Sequence, residues 1–316
     1  MTPGDSVTDT AASAASALAA VLTPRFLRKL DRLHLAVQRS LSTRPGNTPM
    51  PRGSQGSGIE IEGYKSYSEG DDLRHLDWNA YGRLDQLLIK TFRAEREAPL
   101  YVFIDLSASM SVPASDNKFA FALGLAASLA YVSLRNHDPV RIVAIGEALP
   151  DLHLSSPFFR HRQSLQHVRD FLLRLQPKGK TALASGIAAA LRQQRSPGVA
   201  IVLSDFLTDP GIYESALSGL AARRFTVAAA RIIGPGERDP SSLFRRAQLI
   251  DAETGARRFI TLSPENLTRY HHALADHLRN LQSLCNRSGI VFSIADAAAG
   301  LEQSLFHDLP ALGFIH

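Results

Sequence analysis

Apolar residues follow two rhythms along this chain. From residue 99 onward, short unbroken apolar runs alternate with longer stretches in which apolar positions recur every three or four residues. Leu100–Ile104, Val140–Ile145, Val199–Leu203 and Phe225–Arg231 read as strands buried on both faces. Lys118–Arg135, His161–Leu175, Leu183–Gln194 and Pro210–Ala222 read as the helices between them. Such alternation predicts an α/β fold, a doubly wound, mostly parallel sheet with helices on both faces. Further on, Ala247–Asp251 and Arg258–Thr261 suit a short hairpin across Glu253-Thr254-Gly255. Pro264–Arg287 suits a long helix, Ile290–Ile294 a strand and Leu301–Leu309 a closing helix.

Ahead of residue 99 the pattern is looser. Residues 1–23 are rich in Ala, Ser and Thr and read as a flexible tail with at most nascent helix. Pro24 then opens a helix whose stripe is Phe26, Leu30, Leu33, Val37 and Leu41, with Arg25, Arg28, Lys29, Arg32 and Arg39 on its other faces. Those cations suit a solvated face; a phosphate- or membrane-contacting face is the other reading. Residues 43–58 carry Gly, Pro and Ser in loop proportions. Ile59, Ile61 and Leu87–Phe92 have strand character. The expected division is therefore a tail over 1–23, an N-terminal helix and accessory β segment over 24–98, and the main α/β domain with a C-terminal extension over 99–316.

Composition narrows the function. An apolar share of 45% over 316 residues supplies a sizeable core, and 21% charged residues is ordinary for a soluble protein. The net charge is +5, but 35 basic residues are interleaved with 30 acidic ones, which is no nucleic-acid stripe. One cysteine, Cys285, excludes an internal disulfide and a thiolate cluster, and fits a reducing cytoplasm. No stretch approaches the roughly 18–20 consecutive apolar residues of a membrane span. The expectation is a cytoplasmic chain with neither span nor nucleic-acid ligand.

Ligands of open α/β sheets bind beyond the carboxyl ends of the strands. Asp105-Leu106-Ser107-Ala108-Ser109 follows the first strand, Ser204-Asp205 follows Val199–Leu203, and Gly179-Lys180-Thr181 lies between two helices. Carboxylate and hydroxyl oxygens thus leave three loops, a donor set suited to a hard cation such as Mg2+ or Mn2+. Asp105, Ser107, Ser109, Thr181 and Asp205 are the candidate ligands, Asp205 mostly through water. A competing reading makes Ser109 and Thr181 simple helix N-caps, which leaves Asp105 and Asp205 unexplained.

The three loops resemble the metal-ion-dependent adhesion site (MIDAS) of von Willebrand factor A domains, and all five positions match. That resemblance implies a von Willebrand factor A-like fold, and an open coordination position filled by an acidic residue of a partner. The chain from about residue 24 onward also resembles the bacterial domain-of-unknown-function 58 family. The resemblance rests on Tyr67-Ser68-Glu69-Gly70-Asp71-Asp72-Leu73-Arg74-His75-Leu76-Asp77-Trp78, on Arg83 and the Lys90–Glu97 segment, and on Leu249–Gly255. It implies a partner among the MoxR-type AAA+ ATPases, beside which members are often encoded. Many members carry membrane segments ahead of this region. Asp71, Asp72, Arg74, Asp77, Trp78 and Arg83 then have two readings: a self-satisfied salt-bridge network under an indole lid, or a recognition surface for the ATPase with Trp78 as its anchor.

The function expected is a metal-dependent protein–protein interaction module, an adaptor or co-chaperone of such an ATPase, and not an enzyme. The alternative is a magnesium-dependent hydrolase at the same site. The three loops hold no His to serve as its base. Other motifs fall away on inspection. Gly179-Lys180-Thr181 imitates the end of a P-loop, but Arg174 stands where that loop needs Gly. No Gly-x-Ser-x-Gly elbow exists, and His271, His272 and His277 lack the zinc-binding His-Glu-x-x-His spacing.

Overall fold

In the computed structural model, which describes residues 3–35, 61–69, 71–92, 99–194, 196–242 and 246–315, the alanine-rich start of the chain is a helix, not a loose tail. This helix, α1, spans Pro3–Val21. Alanine loses almost no side-chain entropy in a helix, but most helical stability in a protein comes from packing an apolar face. Packing decides the matter. Ala14, Leu18 and Val21 recur at helical spacing, are buried, and join the core against a long helix later in the chain. Leu18→Ala is accordingly expected to lower the unfolding free energy by about 2–4 kcal/mol, read from urea unfolding. An unchanged midpoint would show that α1 is not docked.

Helix α2, Pro24–Leu30, starts as expected, with Thr23 accepting from the Phe26 N–H and Pro24 in the first turn. It ends at Leu30, shorter than the apolar stripe suggested. Leu33 is buried and Leu35 makes a bridge to Ile315, so the stripe continues as core without continuing as helix. Val37 and Leu41 lie outside the described residues.

The chain divides into two compact units, Met1–Arg39 with Ala98–His316, and Ser40–Glu97. The first 39 residues thus belong with the main domain, and the accessory segment is narrower than 24–98. Within it, β1 (Ile61–Ser66) and β2 (Leu88–Phe92) pair antiparallel, and α3 (Trp78–Leu84) lies between them in sequence.

In the main unit the strands are β3 (Leu100–Asp105), β4 (Val140–Ile145), β5 (His153–Ser155), β6 (Val199–Ser204), β7 (Thr226–Ile233) and β10 (Val291–Asp296). They form one six-stranded sheet in the order β10-β7-β6-β3-β4-β5, parallel except for the short β5 at its edge. After α3, the helices of this unit include α4 (Lys118–Arg135), α5 (Leu165–Leu172), α6 (Leu183–Gln193), α7 (Pro210–Ala222), the short α8 (Pro235–Arg238) and α9 (Pro264–Arg287), and the expected closing helix is broken into short turns from Gly300 to Ala311. Between α8 and α9, β8 (Arg246–Ile250) and β9 (Arg257–Thr261) make a separate hairpin.

Alternate residues of each strand serve different cores. Leu100, Val102 and Ile104 pack with α1, α4 and α5, whereas Tyr101 and Phe103 pack with α6, α7 and α9. The unbroken apolar runs follow from this two-sided burial. Helix α4 lies inside the first layer, covered by α1, α2 and α5, and is buried from Lys118 to Leu134. Against the expectation that no segment is, Ala114–Arg135 is long and apolar enough by composition to cross a membrane. In this fold 94% of its apolar window is buried, and an all-round apolar surface is what a core helix requires.

The strand order creates a switch point. From β3 the chain moves to β4 on one side, then returns to place β6 on the other. The loops after β3 and β6 therefore part above the sheet and leave a crevice between them.

Candidate metal centre

Asp105 is the last residue of β3 and is only 1% exposed. Its Oδ1 accepts from the Ser107 N–H (2.9 Å), and its Oδ2 accepts from the Ser204 hydroxyl at the end of β6 (2.7 Å). The loop then turns so that the Ser107 and Ser109 hydroxyls stand 2.9 Å apart. Gly179 and Lys178 bind this loop to the next one: the Ala108 N–H donates to the Gly179 carbonyl (2.9 Å) and the Lys178 N–H to the Leu106 carbonyl (2.7 Å). Gly179 has φ 81°, a left-handed conformation that favours glycine. Thr181 follows, and its hydroxyl is buried with no hydrogen-bond partner.

Asp205 follows β6 and is 1% exposed. Its Oδ1 accepts from the Leu207 N–H (3.2 Å) and its Oδ2 pairs with Lys118 Nζ (3.0 Å). The next residue, Phe206, is held at φ 51°, in the left-handed region that costs a non-glycine residue about 1–2 kcal/mol. Burial raises the Asp105 carboxyl to about 7, with repulsion from Asp205 adding to the effect and the Ser204 and Ser107 hydrogen bonds opposing it. The five residues singled out from sequence are thus gathered at one crevice.

Capping does not account for the hydroxyls. The residue preceding α6 is Ala182, and α4 is preceded by Asn117, neither with a side-chain cap. An unpartnered buried hydroxyl costs about 1–3 kcal/mol, and two buried carboxylates repel. A hard divalent cation between them would relieve both, and the donors fit one: carboxylate and hydroxyl oxygens only, with no soft ligand. Among the described residues no group of three or more His, Cys, Asp or Glu gathers as ligands. The five residues singled out from sequence supply two carboxylates and three hydroxyls, so such a group is not needed. Asp205, already paired with Lys118, suits a water-mediated role.

A buried charge network behind the crevice was missed from sequence. Lys118 Nζ also meets Glu237 Oε2 (3.3 Å), and Arg231 pairs with Glu237 Oε1. Asp116 accepts from the Gly236 and Glu237 N–H groups (3.0 and 3.2 Å), fixing α8 above it. Burial pushes the Glu237 carboxyl up, against the pull of Lys118 and Arg231. Arg231, a charge inside the apolar run Thr226–Ile233, was the available signal. Glu253, from the β8–β9 hairpin, also reaches the centre: its carboxyl lies against the Thr181 N–H and the Ser109 hydroxyl.

In the smaller unit each signature aspartate has a cationic partner, only one of them within the signature. Asp71 pairs with Lys65 (2.6 Å), Arg74 with Asp72 (2.6 Å), and Asp77 with Lys90 (3.4 Å). Asp77 also caps α3, accepting from the Asn79 and Ala80 N–H groups. The Arg74 guanidinium holds the Asp72 carboxyl well below the usual carboxylate range. Trp78 is no lid over this network: it is 67% exposed, edge-on to Tyr81. Arg83 is exposed in the last turn of α3. Gly70 lies outside the described residues.

The family described as "Protein of unknown function DUF58" matches residues 63–296. An uncharacterized protein of Mycobacterium tuberculosis is 26% identical over 228 residues, covering 70% of this chain and 69% of its own. Among solved structures, the conserved hypothetical protein BatB of Bacteroides thetaiotaomicron is similar at 15% identity and a TM-score of 0.41, over 68% of this chain and 95% of its own. An aerotolerance-related membrane protein of Bacteroides fragilis gives the same identity and TM-score, over 68% of this chain and 99% of its own. Likeness at that level assigns neither a fold family nor a function.

Proposed function

This chain belongs to the DUF58 family, and from the donors at its crevice we propose that it is a metal-ion-dependent protein–protein interaction module built on a von Willebrand factor A-like domain. Asp105, Ser107, Ser109 and Thr181 would hold Mg2+, or Mn2+ in its place, with Asp205 acting through water, as in a MIDAS. The observation that carries the reading is the buried, unpartnered Thr181 hydroxyl, on the loop that is bonded to the Asp105–Ser109 loop, together with the repulsion between buried Asp105 and Asp205. The cation would supply an electron-poor coordination position, and an acidic residue of a partner would fill it. A MoxR-type AAA+ ATPase is the proposed partner, on the family resemblance, with the exposed Trp78 surface as a second contact. Adaptor action, not catalysis, suits a centre whose three loops carry no histidine. A cytoplasmic location suits the single cysteine, whose buried thiol is pushed up to about 11 and is inert.

Calorimetric titration of Mg2+ into metal-stripped protein tests this. Saturable binding is expected for the parent, with loss of at least tenfold in affinity for Asp105→Ala. The same substitution is expected to abolish Mg2+-dependent capture of the ATPase. Capture that survives Asp105→Ala, or that ignores chelator, would overturn the reading.

A further inference from the structure

Strands β8 and β9 pair only with each other among the described strands, and Leu249, Ile250, Arg257, Arg258 and Phe259 are exposed, Phe259 at 86%. The turn that joins them is rigid in its own right. Asp251 Oδ1 accepts from the Glu253 and Thr254 N–H groups (2.9 and 2.8 Å), and the Gly255 N–H returns to the Asp251 carbonyl (2.8 Å). Gly255 at φ 71° makes that return possible. Every residue from Asp251 to Ala256 is exposed except Glu253, which is half-buried. The turn therefore spends its hydrogen bonds on its own backbone and leaves one carboxylate to project.

That carboxylate lies beside the Thr181 N–H and the Ser109 hydroxyl, with Asp205 close enough to repel it. Its Oε1 is buried and has no hydrogen-bond partner. Lys118 is already committed to Asp205 and Glu237. A third acid directed at two that already repel is an arrangement a bound cation would make favourable.

We propose that Glu253 is an internal ligand of the centre: its carboxylate takes the metal's open position and holds the site closed until an acidic residue of a partner displaces it. This rests on the metal-binding reading above. A tethered carboxylate competes at an effective concentration on the order of millimolar. A partner must therefore bring contacts beyond its acid, and the exposed hairpin face is placed to give them. Because the hairpin shares no strand pairing with the main sheet, it can leave without breaking a ladder.

Mn2+ serves as the probe, followed by its electron spin resonance for affinity and by solvent proton relaxation for the water it carries. Glu253→Gln and Glu253→Ala are expected to weaken Mn2+ binding about tenfold and to raise the relaxation enhancement per bound ion, because water enters the vacated position. Added acetate should reverse that enhancement in the variants and leave the parent unchanged. Parent-like affinity and relaxation in both variants, with binding still lost in Asp105→Ala, would overturn the internal ligand and leave the metal centre standing. No Mn2+ binding by the parent would overturn both.

Discussion

Stripped of metal, Asp105→Asn is expected to be about 3 kcal/mol more stable than the parent at pH 8, and no more stable at pH 3. Burial holds the Asp105 carboxyl at about 7 against an ordinary 3.8, a rise of about three units. In the unfolded chain this group loses its proton near pH 4, whereas the folded chain keeps it until about pH 7. Across that window the unfolded state binds fewer protons, so stability falls as pH rises. The loss totals about 4 kcal/mol at 1.36 kcal/mol per unit, and it is complete above pH 7. Asparagine has no charge to bury. Its carbonyl can still accept from the Ser107 N–H, but its amide must donate to Ser204, whose hydroxyl already accepts from the Phe206 N–H. That rearrangement costs about 1 kcal/mol. Adding Mg2+ is expected to stabilise the parent and not the variant. Urea unfolding at the two pH values, with and without Mg2+, reads the effect. Equal stability at pH 8 in chelator would show that Asp105 is not a suppressed acid.

Lys118→Met is the second large effect, a loss of about 3–5 kcal/mol in metal-free protein at pH 7.5. Lys118 is the first residue of α4, the end of a helix where a cation is unfavourable. It stays because Asp205 and Glu237 hold it at 3.0 and 3.3 Å, all three groups buried. Methionine fills the volume but leaves Asp205 without a cation and Glu237 with Arg231 alone. The variant should regain stability on mild acidification, as the Glu237 carboxyl, already pushed up by burial, takes up a proton. It should also be stabilised by Mg2+ more than the parent is, since Asp205 Oδ2 is then free for the metal's water. A loss below about 1 kcal/mol would mean that the network is solvated, and not the buried one described here.

The alternating strands and helices of residues 99–316 were readable because two-sided burial leaves unbroken apolar runs, as at Leu100–Asp105 and Val199–Ser204. The α1 helix was not readable as a docked element. Its Ala14, Leu18 and Val21 stripe is sparse, and only the face of α4 that it covers makes the stripe sufficient. The early stop of α2 was hidden for the opposite reason, since Leu33 and Leu35 are buried without being helical. In the smaller unit, the Asp72–Arg74 pair followed from proximity in sequence, whereas Asp77 finds Lys90 only because β2 is brought beside it. The exposure of Trp78 did not, because an indole's burial depends on what the fold brings over it.

By itself the sequence determined the α/β alternation and the placement of Asp105, Ser107, Ser109 and Asp205 at strand ends, because both depend on local period and on neighbours within a few residues. Only the tertiary structure decided what those groups face. Strand order brings Ser204 to Asp105, helix packing brings Lys118 to Asp205, and a hairpin more than forty residues beyond Asp205 brings Glu253 to Thr181 and Ser109. Electrostatic interaction depends on distance through space and on the exclusion of water, and neither is written in sequence separation.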